Sequence, residues 1–483
     1  MRNNVINCDK HTSSKKVSSG SSLVRFGSLT LYCARMIPEL LLPAGDIEKM
    51  KFAFQYGADA VYAGVPMLSL RTKENKFNIA IVREAVEYAR SQGKKIYLTV
   101  NIFPRNYKIP LFKEAIRPMA DLKPDAFIVA DPGVIMLCKQ FAPEIPVHLS
   151  VQANNVNWAS AQFWHKQGVS RIILSREISL AEIKGIHEHN PTLELEFFVH
   201  GSICMAYSGR CLLSSYMAYR DANQGICAHS CRWEYKVHKA VDKNTVDEQE
   251  AIDNAYKTLD GDYYLEEIGR PGQYFQIDED VNGTYIMNSK DMCLVEYLKE
   301  LRDAGVCSFK VEGRNKTFYY VATVARAYRK AIDDMQAGKP FNREYLTELA
   351  KTSNRGFIPG FLVHNPRDSA QEYEKSLTYQ THEFIGVVRN VVNKEGTTLY
   401  EIEVKGRLDA PTSCEILTPD DTFEAKIERF ITVEGKEASV IHPGQAKHVF
   451  IELPRSVPVG SILRKEKDKH HPSPESRGPI TVL

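Results

Sequence analysis

The feature that most constrains this chain is a regular alternation of strand-like runs with helix-like segments. From Met36 onward, eight runs rich in apolar and β-branched residues cover residues 39–45, 58–64, 94–101, 124–131, 145–153, 171–177, 193–201 and 308–314. Amphipathic helical patterns lie between them, such as one that Asp46 can cap and Gly57 can end. Strands that alternate with helices build parallel sheets, because each parallel crossover needs a helix.

Eight consecutive β/α units predict an α/β fold, a TIM-type (β/α)8 barrel, rather than an open doubly wound sheet. No glycine-rich phosphate loop of the form GxGxxG follows the first strand, which disfavours a nucleotide-binding sheet. We assign residues 36–365 to the barrel domain. Residues 202–286 are too many for an ordinary connection and form a Cys-rich insertion after the seventh strand. Within it, Asn282 and Gly283 predict a hairpin turn.

The two ends of the chain differ from this pattern. Residues 378–465 contain strand-like runs without helices, which predicts a second domain, a small all-β barrel. Residues 1–35 are rich in Ser and Lys and nearly free of acids, so we expect a disordered extension or a start assigned too early. The polar residues 466–483 predict a flexible tail.

Charge and hydropathy exclude several classes of protein. No run reaches the roughly 18 apolar residues that a membrane span needs, and the N-terminal stretch lacks the apolar core of a secretory signal. The formal net charge is only +2, so any surface for RNA must be a local patch. We therefore expect a cytoplasmic protein with no membrane partner, in which disulfides are disfavoured.

Four of the 10 cysteines lie within 28 residues, in the predicted insertion. They are Cys204, Cys211, Cys227 and Cys231, and their spacing is Cys-x6-Cys-x15-Cys-x3-Cys. Structural zinc sites usually contain Cys-x2-Cys pairs, whereas an iron-sulfur cluster tolerates irregular spacing, so the pattern favours a cluster over zinc. Two alternatives remain for these cysteines. They could be small buried residues that pack like other apolar side chains, or one of them could be a catalytic thiol.

Polar side chains lie at the C-terminal ends of most of the predicted strands. Because the carboxyl ends of barrel strands meet at one mouth, where active sites of this fold lie, these side chains are candidates for chemistry. Strands also end in polar residues simply because solvent begins there. The candidates are Asn101, Asp131, Gln152, Arg176, Glu177, His200, Glu312 and Arg314.

The segment "ELEFFVHGSICMAYSGRCLLS", beginning at Glu194, resembles the signature of the peptidase U32 family. The resemblance extends through "ELLLPAG", "SVQANNVNWA", "NQGICAHSCRWEY" and "KVEGR", and covers nearly everything from Met36 to about residue 465. The residues that match the signature are Glu196, Phe198, Gly201, Cys204, Gly209, Cys211 and Ser214.

Within the family, the chain is most similar to prephenate-dependent tRNA hydroxylases. The resemblance implies hydroxylation without molecular oxygen of the wobble uridine in the tRNA anticodon loop. The product would be 5-hydroxyuridine, the first step towards 5-oxyacetyl and 5-methoxyuridine. Prephenate is the implied hydroxyl donor. The implied cofactor is an iron-sulfur cluster of the 4Fe-4S type on Cys204, Cys211, Cys227 and Cys231, which the iron-sulfur assembly machinery would supply as a partner.

Candidate substrate ligands follow from the two carboxylates of prephenate, because guanidinium groups bind carboxylates bidentately. They are Arg71, Arg176, Arg210 and Arg314. The candidate acid-base residues are His200, Asp131 and Glu312, with His148 as a further histidine. The aromatic residues that could stack on bases are Tyr207, Tyr216, Trp233 and Tyr235.

Two other functions stay open at this point. The family label suggests a collagenase-like peptidase, but the chain contains neither HExxH nor GxSxG and shows no recognisable Ser, His and Asp trio. A non-enzymatic iron-sulfur protein that binds RNA is the second alternative. The candidate contacts with tRNA are the C-terminal domain and the basic segment at residues 326–330, which a solvated helix face explains equally well.

Overall fold

The computed structural model describes residues 37–467 except 66, 71–77, 205, 209, 225–226, 229, 233–262, 267–273, 281–282, 286–288, 364–378, 395 and 445–446. The predicted N-terminal extension and all but two residues of the predicted tail therefore lie outside the described residues. No helix in the described part of the chain is long and apolar enough to cross a membrane.

Eight parallel strands form a closed barrel, which confirms the predicted fold class. The last barrel strand pairs with both the first and the seventh, so the sheet has no free edge between them. The strands are β1 (Glu39–Ala44), β2 (Ala60–Gly64), β3 (Lys95–Val100), β4 (Ala126–Val129), β5 (Val147–Leu149), β6 (Arg171–Ile173), β7 (Glu194–Ser202) and, after an insertion, β12 (Val306–Val311).

The outer layer consists of helices whose apolar faces cover the barrel. Asp46 caps α1, as predicted, by accepting a hydrogen bond from the Lys49 backbone N–H at 2.9 Å. The helices are α1 (Ile47–Gln55), α2 (Ile79–Ser91), α3 (Ile109–Asp121), α4 (Pro132–Phe141), α5 (Trp158–Lys166), α6 (Leu180–His189), α7 (Leu213–Ala218), α8 (Leu298–Asp303), α9 (Phe318–Gln336) and α10 (Glu344–Ala350). Strands covered on both faces are almost wholly apolar, as Leu40, Leu41 and Leu42 illustrate.

The predicted insertion contributes short strands. Strands β8 (Tyr263–Glu266), β9 (Tyr274–Asp280) and β10 (Gly283–Tyr285) form a separate antiparallel sheet, and β11 (Asp291–Cys293) pairs with β7 and with β13 (Phe357–Ile358). The predicted hairpin is present, but Gly283 pairs with Asp280 inside the ladder. Asn282, the other predicted turn residue, lies outside the described residues.

The C-terminal domain is all-β, as predicted, and its strands pair in antiparallel fashion. It has its own core, in which Val388, Ile402, Ile416 and Phe430 are fully buried. Its strands are β14 (His382–Lys394), β15 (Thr397–Val404), β16 (Leu408–Asp409), β17 (Thr412–Leu417), β18 (Thr422–Ile427), β19 (Phe430–Thr432), β20 (Glu437–Ala438), β21 (Val440–Ile441), β22 (His448–Ile451) and β23 (Ile462–Glu466).

Polar contacts join the two domains. The Tyr56 hydroxyl, at the end of α1, lies 3.0 Å from the Leu417 carbonyl and 2.9 Å from the Gly460 carbonyl. Arg464 in β23 is fully buried and donates to both oxygens of Glu348 in α10 at 2.8 Å. Arg326, in the basic segment proposed for RNA, is also buried and donates to the Pro419 carbonyl at 3.3 Å. That arginine therefore serves the domain interface.

Candidate active site at the barrel mouth

A cavity of about 540 Å³ opens at the carboxyl ends of the barrel strands. This is the end at which enzymes of this fold hold their substrates. Most of the predicted strand-end side chains that the structure describes line it: Asn101, Gln152, Arg176, Glu312 and Arg314. The cavity also receives the four clustered cysteines, so strand ends and insertion share one site.

Positive charge dominates the cavity wall. Among the residues that the structure describes, six cationic and two acidic side chains line it, a formal charge of +4, although the whole chain carries only +2. A wall of this kind favours an anionic ligand, and a partly enclosed site strengthens the attraction because screening by water is reduced. The cations are Arg176, Arg220, Lys310, Arg314, Lys316 and Arg355, and the acids are Asp291 and Glu312.

Arg176 is positioned by three contacts. Its guanidinium carbon lies 3.8 Å from the ring centroid of Phe198, one Nη donates to the Ser202 carbonyl, and the other Nη lies 3.2 Å from the Glu312 carboxylate. The Arg176 Nε is buried and has no hydrogen-bond partner among the described residues. A buried donor without a partner costs free energy, so an acceptor from a ligand would stabilise this side chain.

Close backbone packing forms the wall beside Arg176. Gly201, near the end of β7, has a φ of +110°, and a Cβ there would lie 2.8 Å from the Glu312 Cβ. Only glycine accepts that conformation and that approach without strain. Gly201 therefore allows the chain to turn from β7 towards Cys204 while Glu312 remains at the mouth.

Arg314 contacts residues of β2 and β3, whereas Arg176 contacts residues of β7 and Glu312. One Nη donates to the Thr99 hydroxyl at 3.2 Å, and the guanidinium lies 5.7 Å from the Tyr62 ring centroid. The Tyr62 hydroxyl in turn donates to the Val311 carbonyl at 2.9 Å. Arg314 is thus held by contacts that leave it on the cavity wall.

The cavity floor contains Lys310, which sequence reasoning missed. Its ammonium lies 2.6 Å from an oxygen of Glu196, whose side chain is fully buried, and the other Glu196 oxygen lies 3.2 Å from Arg171. Burial lowers the pKa of Lys310 below its ordinary value. Arg171 also pairs with Glu39 at 2.7 Å, so a chain of alternating charges extends from the floor down the barrel interior. The signal in the sequence was the alternation of β12, which places Lys310 and Ser308 on one face.

The four cysteines all line this cavity, and the described cysteines form no disulfide. Ser214 holds their segments together, because its hydroxyl donates to the Arg220 carbonyl at 2.6 Å and accepts from the Ala228 N–H at 2.8 Å. Arg220 then donates to the Cys227 carbonyl at 3.1 Å. Within the described residues, no three Cys, His, Asp or Glu side chains form a group that could hold a single metal ion.

The donor set nevertheless fits an iron-sulfur cluster in type. Four thiols that line one cavity are the number and kind of ligand that a 4Fe-4S cluster takes, one thiolate at each iron corner. A cluster therefore needs its ligands around a body several ångströms wide, whereas a single ion needs them at one point.

His200 and Asp131 do not line the cavity. The His200 ring is buried, lies 3.3 Å through Nδ1 from the Tyr328 hydroxyl, and has its pKa lowered to about 4 by burial. Its orientation follows from an irregularity in the β7–β12 register, where Lys310 pairs with Phe198 but Val311 pairs with His200. The extra residue breaks the alternation that would direct His200 inward. Asp131 instead caps α4, accepting from Val134 N–H at 3.0 Å.

The remaining candidates occupy several places. Arg210 is exposed beside the mouth, donates to the Gln152 carbonyl at 2.8 Å, and is absent from the described cavity wall. His148 is buried in the barrel against Tyr97, and burial lowers its pKa well below the usual value. Tyr207 is exposed at the rim. Arg71, Trp233, Tyr235 and the side chain of Tyr216 lie outside what the structure describes.

The fold and site together define a (β/α)8-barrel protein with a cationic, thiol-lined cavity at its catalytic end. Comparison with known families agrees with this architecture. The model of peptidase family U32 matches residues 45–372, and the model of the peptidase family U32 C-terminal domain matches residues 380–464. The chain belongs to peptidase family U32.

Three curated relatives show how far this similarity extends. The tRNA hydroxylation protein P of Escherichia coli is 43% identical over 88% of this chain and 96% of its own length. The tRNA hydroxylation protein P1 of Bacillus subtilis is 34% identical over 89% of this chain and 95% of its own length. A protein of Porphyromonas gingivalis named collagenase is 29% identical over 76% of this chain and 83% of its own length.

Proposed function

We propose that this protein is a tRNA hydroxylase that converts the wobble uridine to 5-hydroxyuridine, with prephenate as hydroxyl donor. The relatives named for tRNA hydroxylation support the tRNA part of the proposal, since the chain matches two of them at 42–43% identity over 88% of its length. The observation that carries the donor part is the cavity, whose described lining residues have a formal charge of +4 and include four thiols.

A dicarboxylate fits this wall. The unpartnered Nε of Arg176 and the guanidinium of Arg314 are the groups we assign to the two carboxylates of prephenate. Lys310, which is paired with Glu196 at the floor, adds an ammonium donor to this wall. Arg210 is absent from the described wall and is better placed for the RNA, and Arg71 stays a prediction.

The overall reaction balances without molecular oxygen. The base carbon exchanges C–H for C–OH and is oxidised by two electrons, while the donor carbon exchanges C–OH for C–H and is reduced by two. The four cysteines would hold a 4Fe-4S cluster, which when bound supplies one-electron chemistry. Glu312, 3.2 Å from Arg176 on the cavity wall, is the residue we assign to hold or move a proton.

The burial of His200 argues against a proton-transfer role for it. A group that packs among Tyr328, Tyr320 and Phe357, with a pKa of about 4, stays neutral at working pH, and the His200 side chain does not itself line the described cavity wall. Asp131 is engaged in capping α4. Of the three predicted acid-base residues, Glu312 is therefore the one that the proposal retains.

The direct test is an anaerobic assay with purified, cluster-reconstituted protein, unmodified tRNA and prephenate, followed by nucleoside mass spectrometry. We expect 5-hydroxyuridine only when prephenate is present. Arg176→Gln should raise the KM for prephenate by about 10- to 100-fold, because a charge-assisted hydrogen bond contributes about 1.5–3 kcal/mol. Arg117→Gln, which alters an exposed arginine on α3, is the matched control. Product without prephenate, or an unchanged KM in Arg176→Gln, would contradict the donor assignment.

The cluster assignment has its own test. Cys211→Ser should lower bound iron and abolish the visible absorption of the reconstituted protein, whereas Cys138→Ser, a buried cysteine of α4, should retain both. Full iron content in Cys211→Ser contradicts the assignment. Binding of tRNA without modification would support the non-enzymatic alternative, and cleavage of gelatin by the same preparation would support a peptidase.

A further inference from the structure

Three tyrosines stand out among the described residues because their rings face solvent. Tyr107 is 73% exposed, Tyr207 56% and Tyr219 96%. Tyr107 lies in a single 3-10 turn after β3, and Tyr207 and Tyr219 lie in loops of the cysteine-bearing segment. Large aromatic side chains are usually buried, so a set of them at the rim of a cavity calls for a binding explanation.

Tyr219 is the clearest case, because its backbone is also unfavourable. It follows α7 in the left-handed conformation, with φ of 52° and ψ of 29°, and its N–H donates to the Ser215 carbonyl at 3.0 Å. Glycine or asparagine usually occupies such a position at a helix end. A tyrosine there incurs strain and, at 96% exposure, recovers almost nothing by packing.

The loop of Tyr219 is continuous with the cavity wall. The next residue, Arg220, lines the cavity, and Asp221 lies 3.7 Å from Arg105 in the loop after β3. Gln224 accepts a hydrogen bond from Lys108 at 2.9 Å. These contacts join the loop of Tyr219 to the loop of Tyr107, so both rings belong to one rim.

Cations accompany the rings on this rim. Arg105 is 71% exposed through its side chain, and the Lys108 ammonium lies 6.0 Å from the Tyr107 ring centroid. Isolated aromatic rings among flexible cations are the pattern of surfaces that bind single-stranded nucleic acid, where bases stack on rings and phosphates meet Lys and Arg. A peptide or membrane surface would instead require a contiguous apolar patch.

We propose that Tyr107 and Tyr219 form a stacking platform for unpaired bases of a tRNA loop, with Arg105 and Lys108 near its phosphates. This inference rests on the proposed function, because it concerns how the same mouth receives its RNA. The platform holds bases that neighbour the target, and the target base enters the cavity next to Arg220. Tyr107 and Tyr219 act as positioning residues in this scheme, since neither lines the described cavity wall.

The test compares Tyr219→Ala, Tyr107→Ala and Tyr219→Phe with the unaltered protein, using a fluorescent anticodon stem-loop. The two alanine variants should weaken binding by about tenfold or more, because each loses the stacking of a base. Tyr219→Phe should bind normally, since the ring is retained. Phe163→Ala removes a 54% exposed ring from the outer helix α5 and is the matched control, expected to bind normally.

A second probe separates stacking from charge. A stem-loop with abasic loop nucleotides should bind the unaltered protein and Tyr219→Ala equally weakly, because no base remains to stack. In the hydroxylation assay, Tyr219→Ala should raise the KM for tRNA and leave the KM for prephenate unchanged.

The outcomes divide cleanly between the two proposals. If the unaltered protein hydroxylates tRNA while both alanine variants bind the stem-loop as tightly as it does, the platform is wrong. The same conclusion follows if Phe163→Ala weakens binding equally or if the abasic probe binds as tightly as the normal one. If the unaltered protein neither binds nor hydroxylates tRNA, the proposed function itself fails.

Discussion

Replacing Lys310 by methionine tests the charged floor of the cavity most directly. Lys310 is 3% exposed, and its ammonium lies 2.6 Å from Glu196, which is fully buried. Methionine fills a similar volume but removes the charge. Glu196 would keep Arg171 at 3.2 Å and the Ser308 hydroxyl at 3.3 Å on its other oxygen only. Removing one partner of a buried ion pair costs about 3–5 kcal/mol, and we expect a loss in that range.

A second substitution distinguishes the cost of a buried carboxylate that has lost one of its two cationic partners from the value of the pair. In Lys310→Met/Glu196→Gln, the neutral amide can still hydrogen-bond to Arg171 and Ser308, and no uncompensated charge stays buried. We expect the double variant to recover most of the loss, to within about 1 kcal/mol of the unaltered protein. The hydroxylation activity should not recover, because the positive charge at the cavity floor is absent from both variants.

The measurement is urea-induced unfolding followed by circular dichroism, combined with the tRNA hydroxylation assay on the same preparations. Lys299→Met is the matched control, because Lys299 is 68% exposed and pairs with Asp303 on the surface of α8. Such exposed pairs contribute at most about 1 kcal/mol. A loss of under about 1 kcal/mol in Lys310→Met, or a double variant as unstable as the single one, would refute the argument.

Two further predictions concern stability. His200 has a pKa of about 4 in the folded chain against 6.5 as its ordinary value, so the unfolded chain takes up the proton first as pH falls. Stability present above pH 6.5 should therefore be lost between about pH 6.5 and 4, by about 3 kcal/mol in total, and His200→Phe should flatten that pH dependence in denaturation curves. Arg464→Met should destabilise the domain interface by about 3–5 kcal/mol, since it leaves Glu348 without its bidentate partner. Arg429→Met, at an exposed ion pair, is the control and should lower the unfolding temperature in calorimetry far less. Equal shifts in the two arginine variants would contradict the interface argument. A pH dependence that stays as steep in His200→Phe would contradict the histidine argument.

Local chemistry made much of the fold predictable. Each barrel strand was recognisable as a short apolar run, and the cap at Asp46 depends only on a side chain and the backbone three residues later. The closure of the barrel followed from the number of units, because eight β/α units in sequence leave β12 adjacent to β1. The predicted hairpin is present as the antiparallel pair of β9 and β10, in which Gly283 pairs with Asp280.

The candidate site was only partly predictable. Arg176, Glu312 and Arg314 were found because they end barrel strands, and the four cysteines were found by their clustering. Arg220, Lys316 and Arg355 were missed, since they lie in a loop, before a helix and before β13, where nothing in the local pattern directs them to a cavity. Lys310 was missed because a lysine does not fit the pattern of a buried apolar strand. Its burial becomes understandable only when the ion pair with Glu196 is known.

The sequence by itself determined the number and order of the β/α units, the helix caps and the concentration of thiols in one insertion, because these depend on periodicity and on neighbours along the chain. Only the tertiary structure decided which strand-end side chains share the cavity. His200 and Arg176 both end predicted strands, yet an irregular pairing between β7 and β12 directs His200 to Tyr328, while Arg176 stacks on Phe198 inside the mouth. The alternation of side chains in a strand is a local rule, but the register against the next strand is set by closure of the whole barrel.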